Sequence, residues 1–270
     1  NNYFDQYGFD GVFADNCLTT SIYSMWWGCT DYPVNPRTGQ LYTSEEVLND
    51  QVSFINYVKD GIKNKLWVSN GIFKGTSFFG TSHDSYIRLL TETSIDGFMS
   101  EGIFNLGSDT GKGGRFYSED EWKKSVDFVV WIQDNFLNQA GKIFLPHGRC
   151  SQDQIPSDCT TEQMATFIFS SLLLGINKSQ NHYLSLQGAM LLNEVQNLFK
   201  IDLGDPKGNY YIIEGTHVYA RDFTEIKVLV NPTDQTYSVN LDGDHKTLEG
   251  QIVSAISMGP HTGVILKVIF

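Results

Sequence analysis

The sequence predicts an α/β fold, a (β/α)8 TIM barrel of which the C-terminal five βα units are visible, followed by a small antiparallel β-sandwich domain. Three observations carry that expectation. Residues 1–200 alternate short apolar runs with helical stretches, the rhythm of a parallel sheet covered by helices. From about residue 207 the rhythm changes to short alternating segments broken by turn residues. The chain of 270 residues is 41% hydrophobic and 19% charged, enough apolar material for a substantial core.

Five runs read as strands: "FDGVFADN" (9–16), "LWVSNGI" (66–72), "IDGFMSEGIF" (95–104), "KIFLPHG" (142–148) and "HYLSLQG" (182–188). Three helices between them have legible starts. Thr43-x-x-Glu46, Ser118-x-x-Glu121 and Thr160-x-x-Gln163 each precede an apolar-periodic stretch and read as capping boxes, whose paired side chains satisfy amides in the first helical turn. "GDPKGN" (204–209) reads as a linker, dividing a partial barrel at 1–203 from a β domain at 207–270. A closed barrel needs about 250 residues by itself. Residues 1–7 read as the end of a helix feeding the first strand, so three earlier units are expected to be absent or supplied by another chain.

Two strands end alike. Asp10-Gly11-x-x-x-Asp15 and Asp96-Gly97-x-x-x-Glu101 share the pattern D-G-x-x-x-[DE]. Side chains alternate along a strand, so Gly11, Phe13 and Asp15 share one face, as do Gly97, Met99 and Glu101. Parallel α/β folds collect their chemistry at the C-terminal strand ends, where both carboxylates fall. Two acids on different strands are what glycoside hydrolysis requires: one attacks or stabilises the anomeric carbon and the other protonates the leaving oxygen. Asp15 is the expected nucleophile and Glu101 the expected general acid/base. The competing reading has Asp15 capping the next loop and Glu101 paired with Arg115 or Arg149.

Other polar and aromatic residues are candidates for substrate contact. Asn16, Asn70, His147, Arg149 and Gln187 stand at strand ends, and Trp26, Trp27, Phe78 and Phe79 stand in polar, glycine-containing stretches where aromatic faces suit sugar rings. Each also has a plainer reading, as a turn residue or a cover for the core. The loop Gly107–Gly113 has the wrong spacing for a phosphate loop and reads as a flexible segment near the site.

The net charge of −12 argues against nucleic acid or an anionic membrane as partner and favours a neutral ligand such as carbohydrate. No run is long enough to span a bilayer. The four cysteines fall in two local pairs, Cys17 with Cys29 and Cys150 with Cys159, which predicts two disulfides and a secreted protein. The triplet Asn177-Lys178-Ser179 is an N-glycosylation acceptor pattern. Six histidines show no H-E-x-x-H spacing, and neither G-x-S-x-G nor a dinucleotide fingerprint occurs, so no metal and no cofactor are expected.

"GFDGVFADN", "SNG" and "DGFMSEGIF" together resemble the strand-four, strand-five and strand-six signatures of hypothetical glycosyl-hydrolase-like proteins and the related polygalactosaminidase-like family. The tail is similar too, with "DLGDP", then "VYARDFTEIKVLVNPT" and "ISMGPHTGVILKV". The resemblance implies a (β/α)8 barrel with a C-terminal β-sandwich and places Asp15 and Glu101 on the family's strand-four and strand-six acids. The first three barrel strands have no counterpart here. A secreted glycoside hydrolase is therefore the leading expectation, and a non-catalytic carbohydrate-binding or surface-assembly protein on the same scaffold is the alternative.

Overall fold

The computed structural model describes residues 2–15, 17, 33–71, 75–80, 83–107, 113–177 and 182–269. Helix α1 (Asn2–Tyr7) leads into β1 (Gly11–Ala14), α2 (Ser44–Ile62) into β2 (Leu66–Asn70), and α3 (Gly75–Phe78) with α4 (His83–Glu92) into β3 (Gly97–Glu101). A short hairpin, β4 (Asn105–Leu106) and β5 (Arg115–Phe116), precedes α5 (Glu119–Asn135), β6 (Ile143–Arg149), α6 (Thr161–Gly175), β7 (Ser185–Gln187) and α7 (Asn193–Leu198). The sheet order is β1-β2-β3-β6-β7 and every pair is parallel. The strands thus lie side by side in chain order, with none of the reversal that marks a doubly wound sheet.

The repeated Asp-Gly has a structural cause. The carbonyl of Asp10 accepts from the amide of Leu66, and that of Asp96 from the amide of Ile143, both at 2.8 Å, so each aspartate opens the ladder to the next strand. The following glycine lets that strand approach. A Cβ on Gly11 would lie 2.4 Å from the Leu66 carbonyl oxygen, and one on Gly97 would lie 2.6 Å from that of Ile143.

The two faces of the sheet differ. Trp67, Phe98, Phe144 and Leu186 are buried beneath the helices. On the other face Leu66, Val68, Met99, Ile143 and Leu145 are only half-buried, and Phe13 is 51% exposed.

Capping follows the sequence at two helices. Thr43 with Glu46 and Ser118 with Glu121 form complete boxes. At α6 the expected box is half made: Thr160 Oγ1 accepts from the Gln163 amide at 3.1 Å, but the Gln163 side chain donates instead to the His261 carbonyl at 3.4 Å. The C-terminal sheet, packed over that end of the helix, provides the competing acceptor.

That sheet comprises β8 (Tyr211–Ile212), β9 (Tyr219–Asp222), β10 (Ile226–Asn231), β11 (Tyr237–Lys246), β12 (Ile252–Met258) and β13 (Thr262–Val268). They form one six-stranded sheet, ordered β12-β11-β13-β10-β9-β8, rather than two separate sheets. β11 pairs with β13 only through His245 and Lys246, and its ladder to β12 shifts register between Asn240 and His245. The β11–β12 arm folds back, so that Val239 and Met258 pack on Val218, Ala220 and Leu229. The opposite face sits on α6, and a Cβ on Gly263 would lie 2.7 Å from Ser170 Cβ. Helix α6 is apolar all round because it is enclosed on both sides: Ile168 meets Gly148 of the parallel sheet while Ser170 meets β13. No described helix is long and apolar enough to cross a membrane.

The expected disulfides are corrected. Cys17, Cys150 and Cys159 are all free and buried, and Cys29 lies outside the described residues. Each described thiol has its own setting. Cys17 Sγ accepts from Gln51 Nε2 at 3.0 Å, and Cys159 Sγ donates to the Thr160 carbonyl at 3.3 Å. Burial pushes the Cys150 and Cys159 thiols up to about 12 and about 11, which keeps both protonated and unreactive. These cysteines no longer argue for an oxidising compartment.

Candidate active site

The C-terminal strand ends bring Asp15, Asn70, Glu101, His147, Arg149 and Gln187 into one row. In-register pairing aligns Ala14 with Ser69, Asn70 with Met99, and Glu101 with His147, and Arg149 with Gln187. Asn70 is the hub. Its Nδ2 donates to Asp15 Oδ1 at 2.8 Å and to Glu101 Oε2 at 3.4 Å, so those two oxygens lie no more than about 6 Å apart. Asn70 is 6% exposed, and its Oδ1 has no hydrogen-bond partner among the described residues, while its carbonyl accepts from the Cys17 amide at 2.8 Å. Asp15 is exposed and Glu101 is half-buried, so solvent reaches both acids.

Arg149 Nη2 donates to Glu101 Oε1 at 2.9 Å, whereas Arg115 pairs with Glu121 at 2.8 Å. The competing reading of Glu101 thus identified a real partner. Because the pair stands at the open strand ends, it orients the acid without sealing it from solvent. Arg149 is itself held by a residue that the sequence reading missed: buried Asn105 donates through Nδ2 to the Arg149 carbonyl at 2.7 Å and accepts from the Arg149 amide at 3.4 Å. Its signal is the polar residue inside the apolar run "GIFNLG". Tyr117, also missed, donates to the Gly102 carbonyl at 2.8 Å and braces the turn that follows Glu101.

His147 faces Glu101 across the β3–β6 ladder. Burial lowers its pKa below the ordinary value, against the opposing pull of Glu101.

Several candidates fall elsewhere. Phe78 is fully buried among Tyr86, Phe128 and Trp131, so it belongs to the core and cannot face a sugar. Phe79 is 41% exposed but lines a separate cleft on the flank of α5. Asn177 lies at the end of α6, where its Oδ1 accepts from Arg221 Nη2 at 2.9 Å, a structural role for the amide. Asn16, Trp26 and Trp27 lie outside the described residues, as do residues 108–112 of the glycine-rich loop. Among the described residues no group of His, Cys, Asp and Glu side chains could hold a metal ion.

Among solved structures the chain is similar to Amy13B of Eubacterium rectale, at 12% identity and a TM-score of 0.45, covering 100% of this chain and 62% of the other. It is similar also to an α-amylase from Lactobacillus plantarum, at 10% identity and a TM-score of 0.41, covering 90% of this chain and 71% of that one. For the trehalose-6-phosphate hydrolase of Bacillus licheniformis the values are 11%, 0.45, 98% and 66%. The chain thus spans less than two thirds of the length of Amy13B. No curated protein matches it. Residues 2–227 match the hypothetical glycosyl hydrolase family 15, and the chain belongs to that family.

Proposed function

We propose that this chain carries the catalytic acids of a glycoside hydrolase acting on an oligo- or polysaccharide, with Asp15 as nucleophile and Glu101 as general acid/base. The observation that carries the reading is the single Asn70 amide, at the end of β2, touching both acids at the ends of the two strands that flank it. The spacing favours retention, since retaining enzymes hold their carboxyl groups about 5–5.5 Å apart and inverting ones about 6.5–9.5 Å. In the first step Asp15 attacks the anomeric carbon while Glu101 gives its proton to the departing glycosidic oxygen. A glycosyl ester forms and the aglycone leaves as an alcohol. In the second step Glu101 takes a proton from water, which attacks the same carbon and frees Asp15.

The half-open inner face of the sheet supports a barrel arc, because parallel sheets are ordinarily covered on both faces. Phe13, Val68 and Met99 would be buried by further βα units joining the β1 and β7 edges.

Asp15→Asn and Glu101→Gln are each expected to lower hydrolysis by at least about 10³-fold, with unchanged melting temperature. Full activity in both variants would overturn the assignment, and an inverted product anomer by NMR would overturn retention. Glycan binding without turnover in the parent protein would favour the non-catalytic alternative. One observation favours a second assignment within the same reaction: the Arg149 guanidinium donating to Glu101 suits Glu101 as the nucleophile, with Asp15 as the general acid/base. Azide separates the two, since it rescues the acid/base variant as a glycosyl azide of retained configuration and the nucleophile variant as one of inverted configuration.

A further inference from the structure

A cleft of about 570 Å³ opens on the flank of the molecule, where α5 and α6 end and residues 209–210 cross them. Helices in this fold end where strands begin, so the cleft lies away from the strand ends that carry the acids. It also lies outside the helix layer, so units added to the inner face or edges of the sheet would leave it open.

Its walls combine aromatic surface with uncommitted polar groups. Trp131 is half-buried, with its ring backed by Phe78 at 4.7 Å between centroids, and Phe79 beside it is 41% exposed. The Trp131 Nε1, the Asp134 carboxylate and the exposed Asn209 amide make no hydrogen bond among the described residues. Asn177 spends its Oδ1 on Arg221 and keeps its Nδ2.

Among the described residues no cation is spare here. Arg221 is 5% exposed and donates to the carbonyls of Leu173, Leu174, Ile176 and Gly208 as well as to Asn177, closing the end of α6. Lys123 is paired with Asp127 at 2.7 Å. An anionic ligand would meet Asp134 with no described cation to balance it, and a purely apolar ligand would strand the free amides. Hydroxyl groups, which both donate and accept, suit this set, and a sugar ring offers an apolar face to Trp131.

We propose that this cleft is a second carbohydrate-binding site, in which Trp131 and Phe79 take the ring faces and Asp134, Asn177 and Asn209 take the hydroxyls of a neutral oligosaccharide. The choice of ligand rests on the glycosidase reading. The site would hold a stretch of the polymer away from the point of cleavage.

The test uses the full chain carrying Glu101→Gln and labelled at tryptophan. Of the five indoles, those of Trp67 and Trp122 are buried and bonded to Ser69 and Ser171. The Trp131 resonance is assigned by its loss in Trp131→Phe, which keeps an aromatic ring against Phe78. Neutral and amino-sugar hexasaccharides of several linkages are titrated in. A saturable shift of the Trp131 indole, weakened about tenfold by Asn209→Ala, is the expected result. A Trp131 indole that no hexasaccharide moves would overturn the proposal. Hydrolysis by the parent chain is measured separately, so the cleft can fail while the acids stand, and the reverse.

Discussion

At the scale of single residues, Asn70 decides whether two acids form one site. An amide between two carboxylates gives each a donor and adds no charge, so it fixes their spacing without a third charge between them. Asn70→Ala is expected to lower kcat about 10²-fold through misplaced carboxylates, with little change in stability. Asn70→Asp is expected to do worse on both counts. It sets a third carboxylate, nearly buried, within hydrogen-bonding distance of the other two, at a cost of about 3 kcal/mol unless it takes up a proton. Chemical denaturation and steady-state kinetics on the two variants check this, and equal stability would show that Asn70 is not the bridge. The neighbouring Arg149 is legible as a candidate from its strand end, but its fixed position depends on Asn105, forty-four residues away. Nothing local in the sequence pairs them.

At the scale of elements, the sequence is most informative where one segment contains the whole cause. Thr43 with Glu46 and Ser118 with Glu121 cap their helices through residues three apart, and alternation places Asp15 and Glu101 on a shared face. The Gly97 of the repeated motif is an element-level requirement, because the approach of β6 leaves no room for a Cβ. Gly97→Ala is expected to cost about 1–3 kcal/mol and lower Tm by roughly 2–10 °C, with a loss of turnover because Glu101 sits at the end of the same strand. Calorimetry and activity per folded molecule test it, and an unchanged Tm would remove the close-approach argument. Elements whose cause lies elsewhere in the chain are less legible. The Gln163 side chain leaves its own helix cap for His261, and Phe78, in a glycine-rich setting suggestive of a loop, fills the core.

At the scale of the whole molecule, the parallel sheet and the C-terminal sheet share α6 and a continuous core, since Tyr219, Phe223 and Val228 join the same cluster as Phe98 and Phe144. Titratable groups in that body predict an acid-sensitive fold. Burial lowers the pKa of His147, His182 and His261 below their ordinary 6.5. As pH falls through that value the unfolded chain takes up protons before the folded one, so stability is lost. Glu121, held at about 2 by the Arg115 guanidinium, contributes stability present above its ordinary 4.5 and lost as pH falls toward 2. Both effects have the same sign. Tm is therefore expected to fall steadily from pH 7 to pH 3, and a Tm that rises toward pH 5 would contradict the buried neutral histidines.

The sequence by itself determined the alternation of strands and helices, the change to antiparallel β structure near residue 207, the two acids at strand ends and the membership of a glycosyl hydrolase family. These depend on periodicity, local capping and motifs within short segments. The tertiary structure alone decided that Asn70 bridges Asp15 and Glu101 across 55 and 31 residues of chain, that Arg149 sits on Glu101, and that the described cysteines remain thiols. It also decided that Trp131 and Phe79 line a cleft apart from the acids. Such meetings depend on strand register and on how sheets pack against helices, which bring together side chains that no local pattern relates.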